Sequence, residues 1–151
     1  MNRRSALFAV FAASSLGLLW QPSKANTLPK LVVYRNPGCG CCEGWVHRMQ
    51  AAGFDLTMED DPNLDERRKG LNIPAELASC HVAMAEGYAF EGHIPSGDVV
   101  KFLQERPPGA IGLIVPGMPV GSPGMGPEGS GGPYKVLLLA ANAAPAVYTT
   151  H

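Results

Sequence analysis

The chain has 151 residues with 12 Lys/Arg against 13 Asp/Glu, a formal charge of −1, and 46% hydrophobic residues. That is one domain's worth of sequence, and the absence of a basic run argues against a nucleic-acid or anionic-lipid partner. Three of its four cysteines fall within four positions, which excludes a scaffold of spread disulfides and leaves pairing, metal binding or thiol chemistry.

In chain order, Arg3-Arg4 gives a basic start, and Ala6 to Trp20 is apolar or small without a charge. Ser23 and Ala25 stand where a signal peptidase needs small residues. The apolar run of about fifteen residues is short for a mature membrane span. The expectation is an export signal over 1–25, cleaved after Ala25, and a domain over 26–151 with no further membrane span. Both the general and the twin-arginine export routes fit. Cleavage leaves nine Lys/Arg against 13 Asp/Glu, a formal charge of −4.

Leu31 to Tyr34 reads as a buried strand and Arg35 to Gly38 as a turn. The cysteines follow. Glu43 to Ala52 reads as a helix with Trp45, Val46, Met49 and Ala52 on one face and Gly53 as its stop. Phe54 to Met58 alternates as a second strand, which completes a βαβ unit. Asn63 to Gly70 reads as a polar helix. Cys80 to His93 reads as a hairpin turning at Glu86-Gly87. Ser96 is the expected N-cap of a helix that buries Val99, Val100, Phe102 and Leu103 and ends at Arg106 to Gly109. From Gly109 to Pro133 the chain is rich in glycine and proline, interrupted by Ile111 to Val115, and is expected to be a functional loop. Tyr134 to Leu139 and Ala146 to Thr150 read as two last strands about a turn at Asn142. The fold class is therefore α/β.

The main chemical signal is Pro37-Gly38-Cys39-Gly40-Cys41-Cys42, between a strand and a helix. At the helix's first turn, unpaired N–H groups and the positive end of the dipole favour thiolates. The thiolate is both nucleophile and metal ligand. A dithiol oxidoreductase needs only Cys39 and Cys42, as nucleophile and resolving thiol. The third thiol, Cys41, suits a soft ion such as Cu(I), held singly or in a small cluster. Zinc would need a second ligand pair, Cys80-His81. A structural disulfide joining Cys80 to one of the three is the plainer alternative.

Met118 and Met125 are soft thioether donors in the flexible loop, with adaptable packing as the rival role. Met49, Met58 and Met84 read as core. His93 stands at a hairpin end, where its ring can reach a neighbouring loop. His47 is expected to face solvent. Strand alternation is expected to send Cys80 and His81 to opposite faces. His151, at the terminus, is expected to have no role. Glu43 beside the thiolates raises their pKa values by repulsion, which favours ligation by a compensating cation.

Several segments together resemble one family. These are Val32 to Tyr34, the Cys39 to Cys42 cluster with Trp45 three residues on, Cys80-His81, Glu91 to Pro95, and Gly112 to Met125. The chain is similar to the periplasmic copper-resistance proteins of the CopG type from about Leu31 to Tyr148. The resemblance implies a thioredoxin-like fold and copper at the C-x-C-C cluster with a distant fourth cysteine, here Cys80. It also implies a role in copper or silver resistance, with redox exchange between Cu(I) and Cu(II). His93, Met118 and Met125 remain candidate ligands beside the cysteines, Ag(I) and zinc remain alternative metals, and periplasmic copper-handling proteins are the expected partners. Sequestration and a copper-linked oxidoreductase would use the same ligands.

Overall fold

A computed structural model describes residues 27–151. The expected export signal and its cleavage point lie outside the described residues. No helix among the described residues is long and apolar enough to cross a membrane.

The elements are β1 (Leu31–Arg35), α1 (Gly40–Ala51), β2 (Leu56–Asp60), α2 (Leu64–Gly70), β3 (His81–Ala85), β4 (Tyr88–Glu91), α3 (Ser96–Glu105), β5 (Ala110–Ile114), β6 (Lys135–Ala140) and β7 (Ala143–Thr150). They form one seven-stranded mixed sheet in the order β2-β1-β3-β4-β5-β6-β7. β1 pairs parallel with β2, and β4 parallel with β5, so α1 and α3 each bridge a parallel pair. The other neighbours are antiparallel. The α/β order read from the sequence is present, including the hairpin and the two last strands.

Strand periodicity divides the interior in two. Val33, Ala83, Phe90 and Leu113 pack with Trp45, Val46 and Met49 of α1 and with Val99, Phe102 and Leu103 of α3. Val82, Ala89 and Ile114, one position away in each strand, pack with Leu64 and Ile73 around α2. Successive side chains in a strand point to opposite faces, so the sheet carries helices on both. Met49, Met58 and Met84 join these cores as expected. The hairpin turn at Glu86-Gly87 has φ of 50° and 84°. Positive φ at both central residues is what a tight two-residue hairpin needs.

Several boundaries differ from the sequence reading, among them the start of the last strand, at Ala143 and not Ala146. β2 begins at Leu56, not Phe54, because Phe54 is part of the cap of α1. Gly53, at φ 95°, donates its N–H to Gln50 O at 2.9 Å, and Phe54 donates to Met49 O at 3.1 Å. This is a Schellman closure, in which glycine takes the left-handed position and the next residue packs back on the helix. Phe54 is accordingly buried beside Met49. α1 also starts earlier, with Cys39 as N-cap, and Ser96 is the first residue of α3, after Pro95 as N-cap. Ile111 to Ile114, which read as an interruption in a loop, belongs to β5, an interior strand of the sheet.

The remaining loop folds back over α1. Gly124, at φ 84°, lies so close that a Cβ there would stand 2.4 Å from Trp45 N. Gly124→Ala combines a strained backbone with overpacking, a class of change that costs about 1–3 kcal/mol. Urea denaturation should show a loss of that size, and an unchanged midpoint would mean that the loop does not rest on the helix.

Candidate metal centre

The β1–α1 turn presents the cysteines. Arg35 ends β1, Cys39 N–H closes the turn on Asn36 O at 3.2 Å, and α1 begins at Gly40. Cys41 and Cys42 therefore occupy the first turn of the helix, where its dipole favours thiolate. Cys42 is fully buried, while Cys39 and Cys41 are half-buried. Cys39 and Cys42 are joined as a disulfide, and Cys41 and Cys80 are free thiols. The alternative pairing of Cys80 with one of the three is not formed.

Cys80 arrives from the residue just before β3. Since β1 and β3 are neighbours, Cys80 reaches the turn directly, and its O accepts from Asn36 N at 3.4 Å. Its sulfur is 3.6 Å from Cys41 Sγ, which is in turn 3.4 Å from Cys39 Sγ. The four sulfurs lie within 4.8 Å of one another. Sulfurs bound tetrahedrally at about 2.3 Å from one ion would be about 3.8 Å apart, so the observed spacing suits thiolate ligation of a metal.

His93 is fully buried and complements this set. Its Nδ1 is 2.8 Å from Pro123 O. A carbonyl only accepts, so Nδ1 carries the proton and Nε2 presents a lone pair. That Nε2 lies 3.0 Å from Cys80 Sγ. A ring fixed by a backbone carbonyl on its far nitrogen is the usual arrangement behind a ligating histidine. Met118 completes the rim, half exposed, with its Sδ 3.9 Å from Cys41 Sγ. Met125 enters the same loop through its backbone, donating N–H to Ser122 O and accepting from Gly121 N. The structure thus brings Cys39, Cys41, Cys42, Cys80, His93 and Met118 to one end of the sheet.

The sequence reading offered His81 only as half of a zinc pair with Cys80 and otherwise turned it away from the site. Cys80 precedes β3 instead of lying in it, so alternation does not separate the two side chains, and His81 Nδ1 is 3.3 Å from Cys80 Sγ. Cys80, His81 and His93 form a second group with metal-ligand spacing. His81 Nε2 is buried and has no hydrogen-bond partner among the described residues. His47 is exposed, as expected. His151, expected to be idle, closes the end of β7 onto α3 with Nε2 2.6 Å from Asp98 Oδ2.

Charged residues that had no pattern in the sequence support the site. Arg35 holds Glu43 at 2.9 Å and Asp60 at 2.7 Å, and donates to Cys39 O at 3.1 Å. The Glu43 carboxylate is therefore paired, and its repulsion of the thiolates is largely offset. Deeper, Arg68 of α2 grips Glu91 of β4, both buried, at 2.8 Å. Glu91 also accepts from Ser79 N at 2.7 Å, and Arg68 donates to Ser79 O at 2.8 Å. Ser79 Oγ donates to Gly117 O. Ser79 is thus a hub that fixes Cys80 on one side and the start of the Met118 loop on the other.

Burial governs the titration of the site. Desolvation first, then the Cys41 sulfur, pushes the Cys80 thiol up to about 12. The metal-free thiol stays protonated at neutral pH, and a metal must displace that proton, so affinity should rise with pH. His81 is pushed down to about 3, by burial first and then by the charges of His93 and Arg68. His93 is lowered by burial, against the opposing bond to Pro123. Both rings are neutral when folded. Below the ordinary histidine value of 6.5, the unfolded chain takes up protons that the folded one refuses. Their contribution to stability is present above 6.5 and lost as pH falls toward 3. The urea midpoint of the metal-free protein should therefore fall between pH 6.5 and 4, more steeply for wild type than for His81→Gln. Equal slopes would mean that His81 does not drive the loss.

Comparison with known proteins places this geometry. A family model described as a protein of unknown function, DUF411, matches residues 77–125, the stretch that carries Cys80, His81, His93, Met118 and Met125. No curated protein matches. Two solved structures described as copper resistance protein CopG, form 1 and form 2, superpose with TM-scores of 0.76 and 0.75. Each is 32% identical, over 82% of this chain and 98% of the other. With that identity over nearly the whole of the other chain, this protein belongs to the CopG family of copper-resistance proteins.

Proposed function

We propose that the protein is a periplasmic copper-handling protein, exported by a signal over residues 1–25 and cleaved after Ala25, that takes Cu(I) as its cargo. The ligands are Cys39, Cys41, Cys42 and Cys80, with His93 and Met118 beside them and Met125 in the same loop. The observation that carries this reading is the convergence of four sulfurs within 4.8 Å of one another, with Cys80 among them facing Nε2 of the buried His93. Thiolate and thioether donors select soft monovalent ions, so Ag(I) should compete. Zinc fits less well, because a closed tetrahedral zinc site does not need a thioether at its rim. Membership of the copper-resistance family supports copper over the other soft ions.

In this reading the chain's own residues divide the work. The α1 N-terminus stabilises thiolate at Cys41 and Cys42. Pro123 O holds the His93 ring with Nε2 inward. Burial keeps competing water from Cys80. Met118, at the rim, is the first donor that an arriving ion or a partner copper-handling protein would meet. Redox exchange between Cu(I) and Cu(II), with the one electron passed to or taken from an external redox partner, belongs to the same proposal.

An anaerobic titration of the reduced protein with Cu(I), against a calibrated chelator, tests this. Tight binding that weakens in Cys39, Cys41, Cys42 and Cys80 serine variants is expected. Binding no tighter than micromolar would overturn the proposal.

The second reading is a thiol–disulfide oxidoreductase, favoured by the Cys39–Cys42 disulfide. Cys39 is the more exposed sulfur and would be the nucleophile, with buried Cys42 resolving.

A further inference from the structure

The disulfide divides the donors into two sets. Cys39 and Cys42 are tied to each other, and a disulfide sulfur is no thiolate ligand. What remains is Cys41 and Cys80, free and 3.6 Å apart, with Met118 Sδ 3.9 Å from the first and His93 Nε2 3.0 Å from the second. The Cys41 and Cys80 sulfurs keep close to the separation of about 3.8 Å expected of two sulfurs on one ion, with the Met118 thioether beside Cys41, while His93 groups with Cys80 and His81 and not with Cys41.

From this partition, which rests on the copper-handling reading above, we infer that the protein has two loading states and that the Cys39–Cys42 bond selects between them. With the bond closed, one ion is held by the Cys41 and Cys80 thiolates, with the Met118 thioether beside Cys41. With it open, Cys39 and Cys42 add two thiolates 3.4 Å and less than 4.8 Å from Cys41, and the site takes at least one further ion. The C-x-x-C pair thus sets metal capacity, and Cys41 stands in the motif because it belongs to the set that the bond never removes.

The exchange is that of any thiol and disulfide. A thiolate of an external dithiol attacks Cys39, the half-exposed sulfur, and the S–S bond breaks. Cys42 leaves as a thiolate in the first turn of α1, where the helix dipole stabilises it. The dithiol's second sulfur then attacks the mixed disulfide, releasing Cys39. Two electrons pass to the protein, the dithiol closes to its own disulfide, and its two protons end on Cys39 and Cys42. Each added ion displaces such protons on binding.

Native mass spectrometry of the full chain titrated with Ag(I) reads this directly, because Ag(I) does not reduce the disulfide. Thiol counting first confirms two free cysteines in the oxidised sample and four in the dithiol-reduced one. The oxidised wild type should hold one ion and the reduced wild type two or more. Cys39→Ser/Cys42→Ser should hold one ion in reducing buffer, as the oxidised wild type does, and Cys80→Ala should abolish the ion of the oxidised form. Equal capacity in the two wild-type states would overturn the inference and leave the copper reading standing, as would an oxidised form that binds nothing. A reduced wild type that binds no ion would remove the copper reading itself.

Discussion

Cys41→Ser is expected to weaken Cu(I) binding by the reduced protein by about 100-fold or more, roughly 2.8 kcal/mol at 1.4 kcal/mol per tenfold. Cys41 is the cysteine with the most sulfur neighbours within 4 Å: Cys39 at 3.4 Å, Cys80 at 3.6 Å and Met118 at 3.9 Å. Serine keeps the shape and a hydrogen-bonding group but replaces a soft thiolate with a hard oxygen. The position is half-buried at the start of a helix whose apolar face is made by other residues, so the fold should be unaffected. The same variant separates the two functional readings. An oxidoreductase working through Cys39 and Cys42 should keep its disulfide-reductase activity when Cys41 is serine. Chelator competition and a reductase assay on one preparation therefore decide between them. Unchanged Cu(I) affinity would sink the metal reading, and lost reductase activity would count against the simple dithiol mechanism.

Glu91→Ala should be strongly destabilising. Arg68 meets Glu91 through Nε, at 3.1 and 3.2 Å to the two carboxylate oxygens, and through Nη2 at 2.8 Å. Glu91 is fully buried and Arg68 is 4% exposed. Removing Glu91 leaves the buried Arg68 charge with only the exposed Asp65 carboxylate, at 2.9 Å, to balance it, at a cost approaching the range of about 3–5 kcal/mol for a broken buried pair, against a total stability for such domains of about 5–15 kcal/mol. The pair is not needed for stability as such. Arg68→Met/Glu91→Leu should recover most of the loss, because an apolar pair of similar volume avoids desolvating two charges. It should not recover metal affinity, because Ser79 N and O would lose the groups that orient Cys80. Urea denaturation and Cu(I) titration of the single and double variants should therefore diverge. If stability and affinity return together, the ion pair does not position Cys80.

The contrast between these two changes shows what could be read in advance. The C-x-C-C turn was legible because the chemistry is local: four consecutive positions, a strand before and a helix after. The hairpin was legible because alternation and Glu86-Gly87 are local too. β5 was not, since Gly112 within the strand and the glycine and proline around it look like loop chemistry, while its strand character comes from pairing with β4 and β6 on either side. Arg68 and Glu91, 23 residues apart, gave no signal, because a buried charge is defined by a distant partner. His81 was set aside by applying strand periodicity one residue too early. Which cysteines pair could not be chosen by counting three adjacent thiols.

The adjacency of β1 and β3 carries a consequence for the order of events in the life of the chain. Cys41 and Cys80 are 39 residues apart in sequence and meet only when those two strands align. Before that alignment, an unfolded chain gathers for an arriving ion only the three thiols of the turn, without Cys80, His93 or Met118. Loop closure of that length is an entropic cost met by folding itself. Premature capture would trap an ion in a looser, solvent-exposed nest and leave the later donors competing for it. Maturation should therefore be cleanest when folding precedes loading, and chaperoned delivery to the finished molecule should outperform adding metal to a refolding one.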